Sequence, residues 1–538
     1  MEKRIYIKEW LEFKPYDRQT VTDNYYLKIC NDIKRALTTN KQSFILQRYM
    51  DKKEIDLLSC FLASYLEDII SETNIWNSFA NIHYKLYNKK LPFYNTDEYY
   101  DEEINEQDIC LLIWYFLNTI QEDKFISPYN DFIVETASKV MDILDEAYKY
   151  APENEYLKSF YQIDKSETDF YIVRNLIDTI LFKSYLFYPD TIIKLKRQES
   201  EIIEENKDEE NLMTFLNENR DNFLHKNHTR LFSLKGKEWA SEILRDKHPL
   251  SDYLLNISKR ISGYFLYKGQ DDSDIFIEHI ASGKKFKLIK KSFDHYKNLK
   301  DIDTIMFIGI VLWKNEWWFS GVYFQFPFNA DLILDEKNSL ESRMVVNFLD
   351  YKKQDTIALL NQQLEAFKDF NNGSQIAFLP SEKIEGFYRD YAEFFNNSLN
   401  LSAKEKEEAK QRAKKDGFFG TEDEHNNYSE ISETGLVFFN PQSGGEIALN
   451  VNNAFPLANN PFFEIEHSED DIKHLLMSEK MSTELAMYCI DNCQTKLPFF
   501  YEGAGKMFLD DIDFLLRFWK KENYHSTPSI TYTGQNKK

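Results

Sequence analysis

The stretch that most constrains the fold is residues 258–324, where short apolar segments alternate with turns. Gly269 and Gly283 stand in two of these turns, and residues 285–290 alternate between lysine and apolar side chains. The segments with a strand pattern are residues 261–267, 275–280, 285–290, 304–312 and 317–324. Short strands separated by glycine-containing turns predict a small antiparallel meander or a half-open barrel.

The length of the chain predicts further domains, because 538 residues are too many for one compact core. Before the strands, residues 22–246 carry apolar side chains at helical spacing, as in Ile29, Ile33 and Leu37. After the strands, helical patterns alternate with short strands predicted at residues 375–379, 436–439 and 446–449.

We therefore predict an α+β protein in three parts. The first is a large irregular helical N-terminal domain at residues 1–250, and the second is a small central antiparallel β module at residues 251–350. The third is a mixed α+β C-terminal region at residues 351–538. Within it, the composition predicts a polar loop at residues 420–429 and a polar, frayed tail at 524–538, with a strand at 530–532 as the alternative.

The formal net charge of −23 limits the class of partner. An acidic surface repels phosphate groups, so binding of naked nucleic acid over the whole protein is disfavoured, whereas a local basic patch can still bind it. The hydrophobic content of 43% supplies a large core and argues against disorder.

The sequence predicts a cytoplasmic protein that does not enter a membrane. No run of about 18 apolar residues occurs, so no membrane span is expected. The first residues lack the apolar segment of a signal peptide, and the five cysteines are few and scattered, as is typical of reduced thiols.

A local excess of positive charge lies inside the β module, where residues 284–300 contain seven lysines and one acidic residue, Asp294. The candidate binding residues are Lys284, Lys285, Lys287, Lys290 and Lys291, together with the aromatic Trp317. Basic side chains beside aromatic rings can follow a phosphate backbone and stack bases. Two other interpretations stay open. Either the lysines protect an edge strand while the tryptophans are core, or the partner is an acidic protein.

His225, His228 and Arg230 form a second group of candidate binding residues. The two histidines have the spacing of two metal ligands from one turn, but no third ligand follows at motif spacing. Lys226 and Arg230 beside them favour an anion over a cation. The simpler interpretation is a pair of polar loop histidines, so no bound metal is predicted.

The motifs of the common enzyme classes are missing. The segment around Gly503 resembles a phosphate loop, but Phe500 stands at the first glycine position and Met507 replaces the hydroxyl residue. Cys489 and Cys493 lie one helical turn apart and are expected to be core thiols. We therefore predict no catalytic residue, no metal and no cofactor from sequence motifs.

Three runs of the sequence resemble those of an uncharacterised bacterial protein family from gut anaerobes of the Bacteroides group. The runs are SGYFLYKGQ at residues 262–270, FIEHIASGKK at 276–285 and WKNEWWFSG at 313–321. The resemblance implies a family of unknown function and transfers no residue roles.

Three functional hypotheses follow from the sequence. The first is a non-catalytic binding protein whose β module engages a nucleic acid or an acidic protein. The second is an enzyme without a recognisable motif, with its site near His225 and His228. The third is a structural subunit of a bacterial assembly.

Overall fold

The protein is described by a computed structural model that defines residues 4–39, 43–121, 124–207, 209, 211–245, 247–339, 342, 346, 353–399, 401–415 and 428–527. By its internal contacts the chain forms two compact units. The first unit is Met1–Thr229 with Leu234–Asn338, and the second is Arg230–Ser233 with Ser339–Lys538. The predicted boundaries at residues 250 and 350 are finer than this division and stay a prediction.

The first unit begins with a helical region. Its helices are α1 (Ile7–Leu11), α2 (Asp23–Thr39), α3 (Ser43–Tyr49), α4 (Lys52–Ser71), α5 (Ile75–Tyr87), α6 (Glu106–Ile120), α7 (Asp131–Tyr148), α8 (Glu155–Ser159), α9 (Phe170–Lys183), α10 (Ile193–Glu205), α11 (Leu212–Lys226), α12 (Gly236–Ile243) and α13 (Ser251–Leu255). A π-helical turn, Tyr188–Ile192, precedes α10.

Helix α4 lies in the core of this region. Its start is fixed by a capping box, in which the Asp51 side chain accepts from the Glu54 N–H at 2.8 Å and Glu54 accepts from the Asp51 N–H at 2.6 Å. Leu58, Phe61 and Leu62 on α4 are fully buried. Because one capped helix buries so many side chains, the surrounding helices can pack around it.

The β module is a five-stranded barrel followed by a helix. Its strands are β1 (Ile261–Gln270), β2 (Asp274–His279), β3 (Lys285–Ile289), β4 (Ile305–Trp313) and β5 (Glu316–Phe326), and the helix α14 spans Ala330–Asn338. The strands pair in the order β1-β2-β3-β5-β4, and β4 returns to pair with β1. The alternating pattern of β3 is borne out, since Phe286 and Leu288 are buried while Lys285 and Lys287 are exposed.

The barrel is closed, whereas the sequence predicted a meander or a half-open barrel. Four strand pairs are antiparallel as predicted, but β3 and β5 are parallel, with Leu288 opposite Trp317. The reason lies in the connection after β3, which contains two 3-10 turns, Lys290–Ser292 and Asp294–Asn298. This connection carries the chain to the free edge of β1, so β5 returns beside β3 and closes the barrel.

The second unit mixes helices with a three-stranded antiparallel sheet of order β6-β7-β8. Its elements are α15 (Lys353–Phe370), β6 (Ile376–Pro380), α16 (Ile384–Ser398), α17 (Ala403–Lys415), β7 (Thr434–Asn440), β8 (Gly444–Leu449), α18 (Ser468–Met477), α19 (Thr483–Cys493), α20 (Pro498–Tyr501) and α21 (Ile512–Trp519). The predicted strand at 530–532 and most of the predicted loop at 420–429 lie outside the described residues.

Apolar side chains of α15, α16 and β7 form a core of the second unit. Phe367, Tyr391 and Phe439 lie together, with ring centroids 5.2–6.2 Å apart. The predicted α+β class is thus confirmed. Within the described part of the chain, no helix is long and apolar enough to cross a bilayer.

Candidate functional site

One side of the barrel is covered by the helix that follows it. Leu332 and Ile333 of α14 pack against a cluster that contains Leu266 of β1 and Ile305 of β4. This contact buries apolar side chains on the outside of the barrel, so the surface of β1 and β4 there is not open to a partner.

A second side of the barrel lies against the helical region. Trp318 of β5 packs on Phe170 and Tyr171 of α9, with ring centroids 6.2 and 5.8 Å away. The Tyr171 hydroxyl donates to the carbonyls of Ser292 at 2.6 Å and Phe319 at 3.1 Å. These contacts hold β5 and the turn after β3 against α9.

The turn between β4 and β5 is also anchored. The Trp313 indole N–H donates to the Thr168 carbonyl at 3.1 Å, and Lys314 Nζ donates to the Glu167 carbonyl at 2.7 Å. The turn is therefore fixed to the segment before α9.

The outer surface of β2 and β3 is exposed to solvent. We call this surface the β2–β3 face and define it by its outward side chains: Asp274, Phe276, Glu278, Lys285 and Lys287. The two lysines are exposed, and the three β2 residues are partly exposed. In the register, Phe276 lies opposite Lys287 and Glu278 lies opposite Lys285.

Lys285 and Lys287 are the accessible cations of this face. Within the described residues, neither ammonium group forms an ion pair with a carboxylate. Lys287 Nζ lies 5.9 Å from the centroid of the Phe276 ring, within reach of a cation–π contact. The face therefore presents two positive charges beside one partly exposed aromatic ring.

The other predicted lysines are engaged within the first unit. Lys290 donates to the Asp271 carbonyl and lies 4.9 Å from the Tyr296 ring. Lys291 pairs with Glu316 at 3.1 Å and lies 4.5 Å from the Trp318 ring. Lys284 is partly buried, with Nζ 5.9 Å from the Phe286 ring.

Trp317 lies apart from the exposed lysines. Its ring meets the Phe286 ring edge-on at 4.9 Å, and Phe286 points to the side of β3 opposite Lys285 and Lys287. Trp317 is partly buried, so it is a packing residue of the barrel interior rather than a stacking platform on the β2–β3 face.

A buried charge cluster joins α11 to the barrel, and the sequence interpretation missed it. The Arg260 guanidinium is fully buried, 2.7 Å from Glu218 and 2.7 Å from Asp221. Arg174 of α9 also pairs with Asp221 at 2.7 Å. Burial alone would raise the pKa of the Asp221 carboxyl, but His225, Arg174 and Arg260 together hold that pKa below its usual value.

Two glycines make room for the Arg260 side chain. A Cβ atom at Gly309 of β4 or at Gly321 of β5 would collide with Arg260 Nη2. Gly321 also has φ +97°, which favours glycine. Glycines inside two apolar strands are the sequence signal for this cluster, because glycine in a strand often marks a close approach.

His225 belongs to the same cluster. Its Nε2 lies 3.4 Å from Ser320 Oγ, whose hydroxyl donates to Asp221 at 2.7 Å. Burial lowers the pKa of His225 to about 4, although the negative charge of Asp221 acts in the opposite direction. The serine is buried and donates to the carboxylate rather than to the imidazole, so this arrangement is not that of an activated nucleophile.

The three residues of the second candidate group have different surroundings within the two units. His228 follows the end of α11 and is partly buried, and Arg230 belongs to the second unit, 5.3 Å from the Phe518 ring. Among the described residues, no group of three or more His, Cys, Asp or Glu side chains has the arrangement of a metal site.

The architecture defines an α+β protein with a helical region and a closed five-stranded barrel in one unit. The chain belongs to the family described as protein of unknown function (DUF3843), whose model matches residues 4–273, about half of the chain. The match covers the helical region and β1 and ends in the turn before β2. No curated protein and no solved structure matches the chain.

Proposed function

We propose that this protein is a non-catalytic binding protein that engages a single nucleic-acid strand through the β2–β3 face. The observation that carries the proposal is the exposed pair Lys285 and Lys287 beside Phe276, on the part of the barrel that other elements leave open.

The architecture of the barrel supports this proposal by analogy. Five-stranded Greek-key barrels bind oligonucleotides and oligosaccharides on the face of strands 2 and 3. The same part of the barrel is open in this chain, whereas α14 and α9 lie on other sides. Fold alone does not define function, so the side chains of the face decide what it can bind.

The side chains suit a phosphate backbone and a base. Two exposed ammonium groups can neutralise phosphates without first breaking an internal ion pair. A base stacked on an aromatic ring contributes about 1–3 kcal/mol, and Phe276 is the ring that the face offers. Lys297 and Lys300, both exposed after β3, extend the positive charge.

The acidic residues limit where a strand can bind. Asp274 and Glu278 flank Phe276 on β2, and the whole chain carries a net charge of −23. Repulsion therefore confines the nucleic acid to the side of β3, and binding is expected to be weak at physiological salt.

Edge protection is the alternative that a test must separate from this proposal. Towards β5, the register of β3 among the described residues joins one pair, Leu288 and Trp317. In this alternative, Lys285 and Lys287 serve only to prevent the strand of another molecule from pairing with the edge of β3. An acidic protein is the remaining class of partner. We also propose that the protein is bacterial and acts in the cytoplasm.

The test is fluorescence anisotropy of a labelled mixed-sequence single-stranded oligonucleotide at low salt, with the full chain. We expect wild-type protein to bind and the double variant Lys285→Gln/Lys287→Gln to bind at least about tenfold more weakly, a loss of about 1.4 kcal/mol. The matched control is Lys52→Gln/Lys53→Gln, which removes two adjacent exposed lysines of the same unit.

Three outcomes would contradict the proposal. The first is wild-type protein that shows no binding at low salt, which leaves edge protection as the role of the lysines. The second is equal loss in the face variant and the control variant. The third is binding of an acidic polypeptide such as poly-glutamate, but not of the oligonucleotide, which would identify a protein partner instead.

A further inference from the structure

The second unit contains an open cleft that the proposed function does not use. Its volume is about 690 Å³, and it lies where the loop after α15 meets β6 and α19. Clefts of roughly 300–1,000 Å³ with a few convergent polar groups are the usual size of small-molecule sites. The volume is therefore large enough for one or two sugar rings or a molecule of similar size.

Three of the four carboxamide side chains that line the cleft are anchored in the same way, and the fourth is that of Asn372. Asn371 Nδ2 donates to the carbonyls of Ser374 and Ile376, each at 3.0 Å. Asn459 Nδ2 donates to the same Ile376 carbonyl at 3.1 Å. Gln375 Nε2 donates to the carbonyl of Phe439 at 2.9 Å.

This anchoring determines what the amides can offer a ligand. The NH₂ groups of Asn371 and Asn459 each make two hydrogen bonds within the protein, and that of Gln375 makes one. The carbonyl oxygen of each amide is therefore the group offered as an acceptor, and Gln375 keeps one N–H donor as well. Because the amide groups are already fixed, little side-chain entropy is lost when a ligand donates to them. The cleft is thus suited to a ligand that carries several donors.

Aromatic rings supply the apolar part of the cleft. Phe378, Phe387 and Tyr488 line it. Burial raises the pKa of Tyr488, so its hydroxyl stays protonated at neutral pH and can donate or accept a hydrogen bond. The apolar ring faces can pack against the C–H groups of a ligand.

The lining is nearly free of charge. Lys368 is the one charged side chain among the described residues that line the cleft, and its ammonium group pairs with Glu365 at 2.9 Å. An anionic ligand would therefore find little net positive charge to bind it.

We propose that this cleft binds a small uncharged polyhydroxylated molecule, namely a sugar ring. The ligand hydroxyls donate to the oxygens of Asn371, Gln375 and Asn459, while its C–H face packs on Tyr488 or a neighbouring phenylalanine. This site lies within the second unit and is independent of the β2–β3 face.

The test is saturation-transfer-difference NMR with the full chain and D-glucose, D-galactose or N-acetyl-D-glucosamine at about 10 mM, a concentration that detects millimolar dissociation constants. We expect at least one of these sugars to bind. Asn459→Ala and Tyr488→Ala should each weaken that binding at least about tenfold. Asn397→Ala and Tyr501→Ala, at exposed positions outside the cleft, should leave it unchanged.

The proposal is overturned if none of the three sugars binds the folded protein. It is also overturned if both cleft variants bind as well as wild type. Binding of glucose 6-phosphate without binding of any neutral sugar would assign recognition to Lys368 and contradict the role of the amides. Should Tyr488→Ala fail to fold, Tyr488→Phe removes only the hydroxyl, and Asn459→Ala still tests the amide oxygens.

Discussion

Replacing Arg260 by alanine should destabilise the barrel strongly. The guanidinium is fully buried, and its removal leaves the carboxylates of Glu218 and Asp221 without their shared partner. Removing one partner of a buried ion pair lowers the free energy of unfolding by about 3–5 kcal/mol. Arg174 remains 2.7 Å from Asp221, so we expect a loss near the lower end, about 3 kcal/mol.

The assay for Arg260→Ala is amide hydrogen exchange, because a chain with two units need not unfold in a single step. A local opening free energy lowered by about 3 kcal/mol should speed exchange in β1, β4 and β5 about a hundredfold. Arg35→Ala is the matched control, since Arg35 pairs with Asp32 at 3.2 Å on an exposed helix surface. An exposed pair contributes about 0–1 kcal/mol, so exchange should hardly change.

Equal exchange in the Arg260→Ala variant and the control variant would refute this reasoning. A second comparison uses Arg260→Met with Glu218→Gln and Asp221→Asn, which removes the guanidinium together with both of its carboxylate partners. That variant should recover much of the loss, because no carboxylate is then left buried and unpaired.

The remaining predictions concern pH, and each is read from the difference between a variant and wild type in chemical denaturation. Burial lowers the pKa of His225 to about 4, so the folded state binds this proton more weakly than the unfolded state, and the contribution of His225 to stability decreases as pH falls from about 6.5 to 4. Relative to wild type, His225→Gln should therefore gain stability over this range, whereas His467→Gln, at an exposed histidine, should show no such gain. Burial raises the pKa of Asp108 to about 7 although the Tyr65 hydroxyl donates to it, so the contribution of Asp108 to stability decreases as pH rises from about 4 to 7. Relative to wild type, Asp108→Asn should gain stability over this range, and a difference between the two proteins that does not change with pH would contradict the assignment.

The strands of the barrel could be predicted because their signal is local. The alternation of Lys285, Phe286 and Lys287 predicts that Phe286 is buried and that both lysines are exposed, as the structure shows. The bounds of all five strands are near those expected from the turns. Closure could not be predicted, because the parallel pairing of Leu288 with Trp317 depends on where the chain returns after a long connection.

The candidate site was predicted in part for the same reason. The lysine pair follows from the strand pattern, but the neighbours Trp317 and Trp318 point to opposite sides of β5, and only the register shows which one meets the helices. The partners of Arg260 could not be predicted either, because Glu218 lies 42 positions away in the sequence.

The start of helix α21 depends on packing as well. The helix begins at Ile512, and the preceding residues Ala504–Asp511 form a 3-10 helix, in which Gly505 lies close against Phe499.

The most direct test of the central proposal is the salt dependence of oligonucleotide binding. Each phosphate contact on a single strand contributes about 0.7 to the slope of log K against log salt, so neutralising Lys285 and Lys287 should reduce the slope by about 1.4. We expect this reduction in Lys285→Gln/Lys287→Gln and no change in Lys52→Gln/Lys53→Gln. A slope that is the same in wild type and in both variants would contradict the account.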